Sequence, residues 1–224
     1  MAVKPHEPEP ITELVVPFTS AQVHVDGKLG EPLYQVPPLV ERFVIAGQPD
    51  QCPARTKAWL FWQPQRLIFA FECEDAEIVA APPSLNKHDV DAQDRVELFL
   101  WSGRSQDTYY CIEIGALGAL HDYAARFHRR FDDRWSMAGL EYAATTTPQG
   151  YCVEAAIPRT TLESLGFRLA AGAGWRIGLF RAEFSTRATL GEPTWITWVD
   201  ARTPKPDFHV PASFGACTLG AESR

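Results

Sequence analysis

The chain has 224 residues, of which 46% are hydrophobic, 12% aromatic and 22% charged, a balance that supplies one sizeable core and excludes intrinsic disorder. Its longest apolar runs, such as Leu67 to Phe71, stop after about five residues, far short of the roughly 18 that a membrane-spanning helix needs, so no membrane partner is expected. With 21 Lys and Arg against 28 Asp and Glu the formal charge is -7, a field that repels nucleic-acid phosphates and excludes nucleic acid as the expected partner.

Residues 1–12 are rich in Pro and Glu and read as a flexible arm ahead of one domain over residues 13–220. No apolar h-region follows the first lysine, so the expected location is the cytoplasm, with an exported form that has lost its leader as the alternative. Short runs of β-branched and aromatic residues bounded by Gly, Pro or Asp then recur as predicted strands. They cover residues 42–46, 56–63, 66–74, 95–101, 109–115, 119–127, 140–146, 151–157, 175–184, 195–199 and 216–219.

Within them Val96, Leu98 and Leu100 alternate with Arg95 and Glu97, and Tyr110, Ile112 and Ile114 alternate with Cys111 and Glu113. Each such strand should turn one face to a core and the other to water or a ligand. Only one or two short helices are expected, the clearest at Pro158 to Leu165, with Thr160 as N-cap and Glu163 three residues on. So many strands with so few crossover helices imply an all-β, antiparallel β-sandwich of the immunoglobulin or jelly-roll kind.

The five cysteines, at 52, 73, 111, 152 and 217, include no C-x-x-C pair, which excludes a zinc ribbon and makes buried thiols the expectation. Two segments, 78–93 and 200–213, are long for connections and proline-stiffened, the kind of loop that carries a binding site at the rim of a sandwich. The basic cluster Arg126, His128, Arg129, Arg130 is followed at once by Asp132 and Asp133 and reads as a solvated loop.

Several segments in order then carry a resemblance. Val25-Asp26-Gly27-Lys28, the strand pair from Trp59 to Asp75, Gln93 to Leu100, Tyr109 to Ile114, Val153 to Pro158 and Pro206 to Gly215 together resemble the family 9 carbohydrate-binding modules and their family-9-like relatives. The resemblance covers nearly the whole chain. It implies a sandwich of the DOMON-like kind, binding of xylan, cellulose or their sugar ends on an exposed sheet face beside Glu97, and calcium in some members. The family's two sugar-clamping tryptophans correspond here to Asp91 and Phe208, with Trp198 at the mouth of the last loop as a substitute platform.

A sugar needs a flat apolar surface for its CH face and forked donors or acceptors for vicinal hydroxyls. The candidate carbohydrate-binding residues are therefore Asp91, Arg95, Glu97, Glu113, Arg126, Trp198, Phe208 and His209. Asp89, Asp91 and Asp94 form an acidic knot with enough oxygens to be a candidate calcium site. Arg126 and Arg181 would either meet sugar hydroxyls or neutralise Glu97 and Glu113. Three other readings share the fold: a glycoside-processing enzyme using Glu97 and Glu113 as its carboxyl pair, a haem sandwich ligated by Met137 with His121 or His128, and a protein-interaction module.

Overall fold

The structure, a computed structural model, describes residues 12–104, 107–184 and 192–222. The expected arm over residues 1–12 lies outside the described residues except for Thr12. The strands are, in chain order, β1 (Glu13–Val16), β2 (Val44–Ile45), β3 (Thr56–Gln63), β4 (Arg66–Glu74), β5 (Arg95–Trp101), β6 (Tyr109–Gly115) and β7 (Leu120–Arg126). They continue with β8 (Arg130–Asp132), β9 (Glu141–Thr147), β10 (Gly150–Pro158), β11 (Gly174–Glu183), β12 (Thr194–Thr197) and β13 (Gly215–Leu219). Between β10 and β11 lies the α-helix α1 (Arg159–Ser164).

The strands form a nine-stranded sheet ordered β1-β13-β11-β5-β6-β7-β8, extended by β12 against β11 and β2 against β12, and a four-stranded sheet ordered β3-β4-β10-β9. All-β and two-layered is what the strand count implied. One pairing departs from antiparallel, since β1 runs parallel to β13. Neither β1 nor β8 stood out in the sequence: β1 has four residues, and all three residues of β8 are exposed, so it shows no apolar alternation.

Helix α1 falls where expected but is capped differently. Its N-cap is Pro158, without a side-chain capping bond, because β10 runs up to that residue. Thr160 is exposed, Thr161 donates to the Ala138 carbonyl at 2.6 Å, and Glu163 pairs with Arg159 at 2.8 Å.

The inner faces of the two sheets meet in a core that includes Leu60, Trp62, Phe69 and Phe71 from the small sheet and Leu98, Leu100, Ile112, Ile114 and Leu179 from the large one. Cys73, Cys111, Cys152 and Cys217 are buried free thiols and Cys52 is exposed. Arg181 also enters this interior. It is opposite Val96 in the register, is fully buried, and donates to the Glu74 carbonyl at 2.9 Å and to Asp75 at 3.1 Å. It therefore touches neither Glu97 nor Glu113, because alternation along β11 sends Phe180, not Arg181, to the outer face opposite Glu97.

The outer face of the large sheet differs from the wet flank that alternation alone suggested. Phe99, Trp101, Tyr109, Cys111, Tyr123, Ala125 and Phe180 form a second apolar cluster there, covered by Phe208 and Phe214 from the last loop. Every residue of β5 is consequently buried. Phe208 stacks on Phe180 with centroids 4.1 Å apart and planes 12° apart, and Ser213 pins the loop by donating to the Phe208 carbonyl at 2.5 Å.

Trp198 also turns inward. It is 5% exposed in the inter-sheet core, so it is not the exposed sugar platform considered from sequence. Its ring occupies the space left by Gly215, where an added Cβ would lie 2.2 Å from the indole and 2.8 Å from the Thr12 carbonyl. Gly215→Ala is accordingly expected to destabilise the fold by about 1–3 kcal/mol through overpacking, measured by urea unfolding. Trp198→Phe should relieve part of that loss in the double variant, and equal losses in the single and double variants would contradict this packing.

Candidate functional site

The outer cluster stops short of the β5–β7 edge, where a cavity of about 230 Å³ opens. Its floor comes from three neighbouring strands. Glu97 and Glu113 are directly opposite each other in the β5–β6 register, and Glu113 is opposite His121 on β7. Two like charges at paired positions repel, and Arg95 resolves the conflict: its Nε lies 2.9 Å from Glu97 and 2.8 Å from Glu113. The three are 5%, 2% and 4% exposed, so this is a charged floor at the bottom of a cavity and not a solvated strand face.

Burial raises the Glu97 carboxyl well above the usual carboxylate range, and the neighbouring Glu113 raises it further, against the opposing pull of Arg95. Glu113 also accepts a hydrogen bond from Tyr123 at 2.6 Å. The guanidinium is held from behind as well, donating through Nη1 to the Asp91 carbonyl at 3.0 Å and lying 5.6 Å from the Trp195 ring centroid.

Walls and rim come from loops. Tyr123, Phe131, Trp195, Phe208 and His209 supply rings, Phe131 being 45% exposed at the mouth. Arg129 and Pro206 complete this side, with Arg129 paired to Asp207 at 2.9 Å. His209 is bonded to the Tyr109 hydroxyl at 3.0 Å.

The opposite rim is the 3-10 turn Lys87–Ala92 within the 78–93 loop. Asn86 caps it, and Lys87 anchors it to β7 through the Asp122 carboxylate at 2.6 Å and the Asp122 and Trp135 carbonyls at 2.8 and 2.9 Å. Gln93 closes the loop by donating to the Asp89 carbonyl at 2.7 Å and accepting from Ala81 N at 2.9 Å. This bracing aims His88 and Asp91 at the cavity.

Of the residues singled out from sequence, Asp91, Arg95, Glu97, Glu113, Phe208 and His209 surround this one cavity. Phe208 contributes as wall and clasp, 6% exposed against Phe180 and Trp195. Arg126 does not reach it: it is exposed at the end of β7, opposite Arg130. Trp198 is in the core described above.

The three aspartates also fail to converge on a calcium ion. Asp89 accepts from Ser84 and Asn86 Nδ2 at 2.5 and 2.7 Å, Asp94 accepts from the Val79 and Phe184 amides, both at 2.5 Å, and Asp91 contacts His88 and His121. Asp94 is wholly buried as a tie between backbone segments, its carboxyl pushed up to about 6 by that burial. These residues do not fit a shared cage of oxygen ligands.

His88, Tyr123, Arg129, Phe131, Asp133 and Trp195 were not anticipated as site residues, and His121 was considered only as a haem ligand. Their only sequence signal was position: His121 and Tyr123 share the outer-face phase of β7, and the basic cluster read as solvated loop places Arg129 on the rim. A haem reading fails on geometry, because Met137 is buried in the inter-sheet core and His121 is on the other face of the sheet. As a glycosidase pair Glu97 and Glu113 are poorly disposed. Both carboxylates turn onto one Arg95 nitrogen, whereas hydrolysis needs them to flank a scissile bond.

Fold and cavity define a β-sandwich with a candidate ligand site on the outer face of the larger sheet. The family model described as "Carbohydrate family 9 binding domain-like" matches residues 25–222, and the chain belongs to that family. A protein of Bacteroides uniformis ATCC 8492 is structurally similar at a TM-score of 0.68 and 14% identity, over 92% of this chain and 98% of that one. Two structures of a family 9 carbohydrate-binding module from Caldicellulosiruptor kristjanssonii, in complex with cellotriose and with glucose, each give a TM-score of 0.63 at 18% identity. Both alignments span 94% of this chain, and they span 95% and 97% of the module respectively. No curated protein matches the sequence.

His209 yields a pH test. Burial, reinforced by the nearby Arg129 charge and opposed by Asp207, pushes its imidazole down to about 3, so the folded protein excludes a proton that the unfolded chain takes up near 6.5. Stability due to this neutral histidine is present above about 6.5 and is lost as pH falls toward about 3, at up to about 1.4 kcal/mol per pH unit. Urea titrations between these limits should show the wild type losing stability faster than His209→Gln, and parallel curves would contradict the assignment.

Proposed function

We propose that this cavity is the binding site of a noncatalytic carbohydrate-binding module, and that it takes a terminal pyranose of a xylan- or cellulose-type chain. The observation that carries the reading is the floor. Arg95, Glu97 and Glu113 set polar donors and acceptors in a fixed fork at the base of a small cavity whose sides are aromatic. Charge-assisted hydrogen bonds to vicinal hydroxyls fix a sugar's orientation, and ring faces take its CH surface.

The volume of about 230 Å³ is below the roughly 300–1,000 Å³ of sites for drug-sized ligands, which suits one ring held end-on better than a chain laid across a groove. Family membership supports the same reading, as do the glucose and cellotriose bound by the structurally similar module. The aromatic clamp differs from the paired tryptophans of the family resemblance: Asp91 occupies one such position and orients histidines, while Phe131, Trp195 and Tyr123 line the cavity from other elements.

Titration calorimetry with glucose, cellobiose, cellotriose and xylobiose tests this. At least one should bind with a stoichiometry of one. Glu97→Ala should weaken it about 10- to 100-fold by removing a hydrogen-bonding carboxyl from the floor. Phe131→Ala, at an exposed rim position, should weaken it about 2- to 10-fold. Absence of binding at millimolar sugar, or binding indifferent to both substitutions, would overturn the proposal.

A further inference from the structure

At the rim formed by the Lys87–Ala92 turn, two imidazoles and two carboxylates meet in an arrangement that sugar binding does not require. The carboxylate of Asp91 bridges the histidines: Oδ1 is 2.9 Å from His121 Nδ1, and Oδ2 is 3.0 Å from His88 Nδ1. Asp91 thus engages the Nδ1 side of both rings and leaves each Nε2 on the side away from it.

Both Nε2 atoms approach one residue. His121 Nε2 is 3.5 Å from Asp133 Oδ1, and His88 Nε2 is 3.9 Å from Asp133 Oδ2. One donor atom from each of His88, His121 and Asp133 lies within 4.8 Å of the other two. A tetrahedral ion bonded to nitrogen and oxygen at about 2.0–2.2 Å separates its ligands by about 3.3–3.5 Å, so closure on an ion needs only small side-chain movements.

A second observation is independent of the cluster. His121 is only 5% exposed, yet its buried Nε2 makes no hydrogen bond among the described residues. An unmet buried polar atom is costly, and here it is aimed at the carboxylate. The imidazole–carboxylate contacts of Asp91 have the form of the outer-shell bonds that fix ligating histidines. The acidic side chains Asp91 and Asp133 flank the two histidines, while the guanidiniums of the cavity, Arg95 and Arg129, are engaged by Glu97, Glu113 and Asp207, which favours a cation at this rim.

We propose that His88 Nε2, His121 Nε2 and Asp133 form a binding site for a divalent transition-metal ion of the zinc class, oriented by Asp91 and open toward the cavity. Two imidazole nitrogens and one carboxylate select zinc, cobalt or nickel over calcium, which prefers six or more oxygens. The second grouping that shares His121, with Asp91 and Glu113, is less apt, since Asp91 is engaged by both histidines and Glu113 by Arg95. His88 and Asp133 have side chains 54% and 45% exposed, which gives the ion a path from solvent.

The site is tested by calorimetric titration of the untagged, chelator-treated full chain with zinc chloride, and separately with calcium chloride. One zinc should bind per chain with a Kd of about 1 μM or lower, calcium should bind at least about 100-fold more weakly, and cobalt should give the visible spectrum of a tetrahedral complex. His88→Ala and Asp133→Asn, both at exposed positions, should each raise the zinc Kd about 100-fold or more. Asp91→Asn should raise it about 10- to 100-fold through loss of orientation, and His24→Ala should leave it unchanged. Far-UV circular dichroism checks that each variant is folded. Absence of zinc binding, calcium binding of equal strength, or zinc binding that survives His88→Ala and Asp133→Asn together would overturn the proposal. Sugar titrations in zinc and in chelator separate it from the carbohydrate reading, because either ligand can fail to bind while the other still does.

Discussion

The site depends on one buried guanidinium. Arg95 is placed between two glutamates that strand register forces together, and it allows Glu97 and Glu113 to occupy paired positions with almost no exposure. Taking charge out of water costs several kcal/mol, which raises the Glu97 carboxyl, and mutual attraction offsets the cost only with good geometry and further hydrogen bonds. Here those are the Tyr123 hydroxyl on Glu113 and the Asp91 carbonyl on Arg95. The triad is therefore weak evidence for fold stability. Apolar residues would fill the same positions at less cost, but would leave the cavity without donors or acceptors.

Rigidity around the triad comes from two sides. Beneath it, the alternate residues of β5 and β6, including Leu98, Leu100, Ile112 and Ile114, are locked in the inter-sheet core. Above it, the proline-stiffened last loop is clamped by the Phe208–Phe180 stack and by Ser213, while Lys87 and Gln93 brace the 3-10 turn. A site whose polar groups are already oriented loses little entropy on binding a small, flexible polyol. The same bracing brings His88, Asp91, His121 and Asp133 together, so the proposed sugar floor and the proposed cation rim share one scaffold.

Much of this was legible in the sequence, and the failures are informative. Strand phase in β5 and β6 correctly separated Val96, Leu98 and Leu100 from Arg95 and Glu97. It said nothing of what would cover the second face, so Glu97 read as wet although Phe208, Phe214 and neighbouring rings close over that side of the sheet. Trp198 was misplaced because its inward position depends on the missing side chain of Gly215, a tertiary fact. Asp89, Asp91 and Asp94 looked like one cluster, yet a 3-10 turn sends their carboxylates to a turn cap, two histidines and two backbone amides. Residues such as Phe131, Asp133 and Trp195 become neighbours of the site only through sheet order and loop closure. No local spacing encodes that.

The most direct measurement is an NMR titration of the full chain with cellobiose, following the Arg95 Nε–H and the tryptophan indole N–H resonances. If the triad is the floor of the sugar site, Arg95 Nε–H and the Trp195 indole shift together along one binding curve, while the Trp59 indole, bonded to the Val36 carbonyl on the small-sheet side, does not move. Shifts that gather at Trp59 and leave Arg95 unmoved would contradict the account.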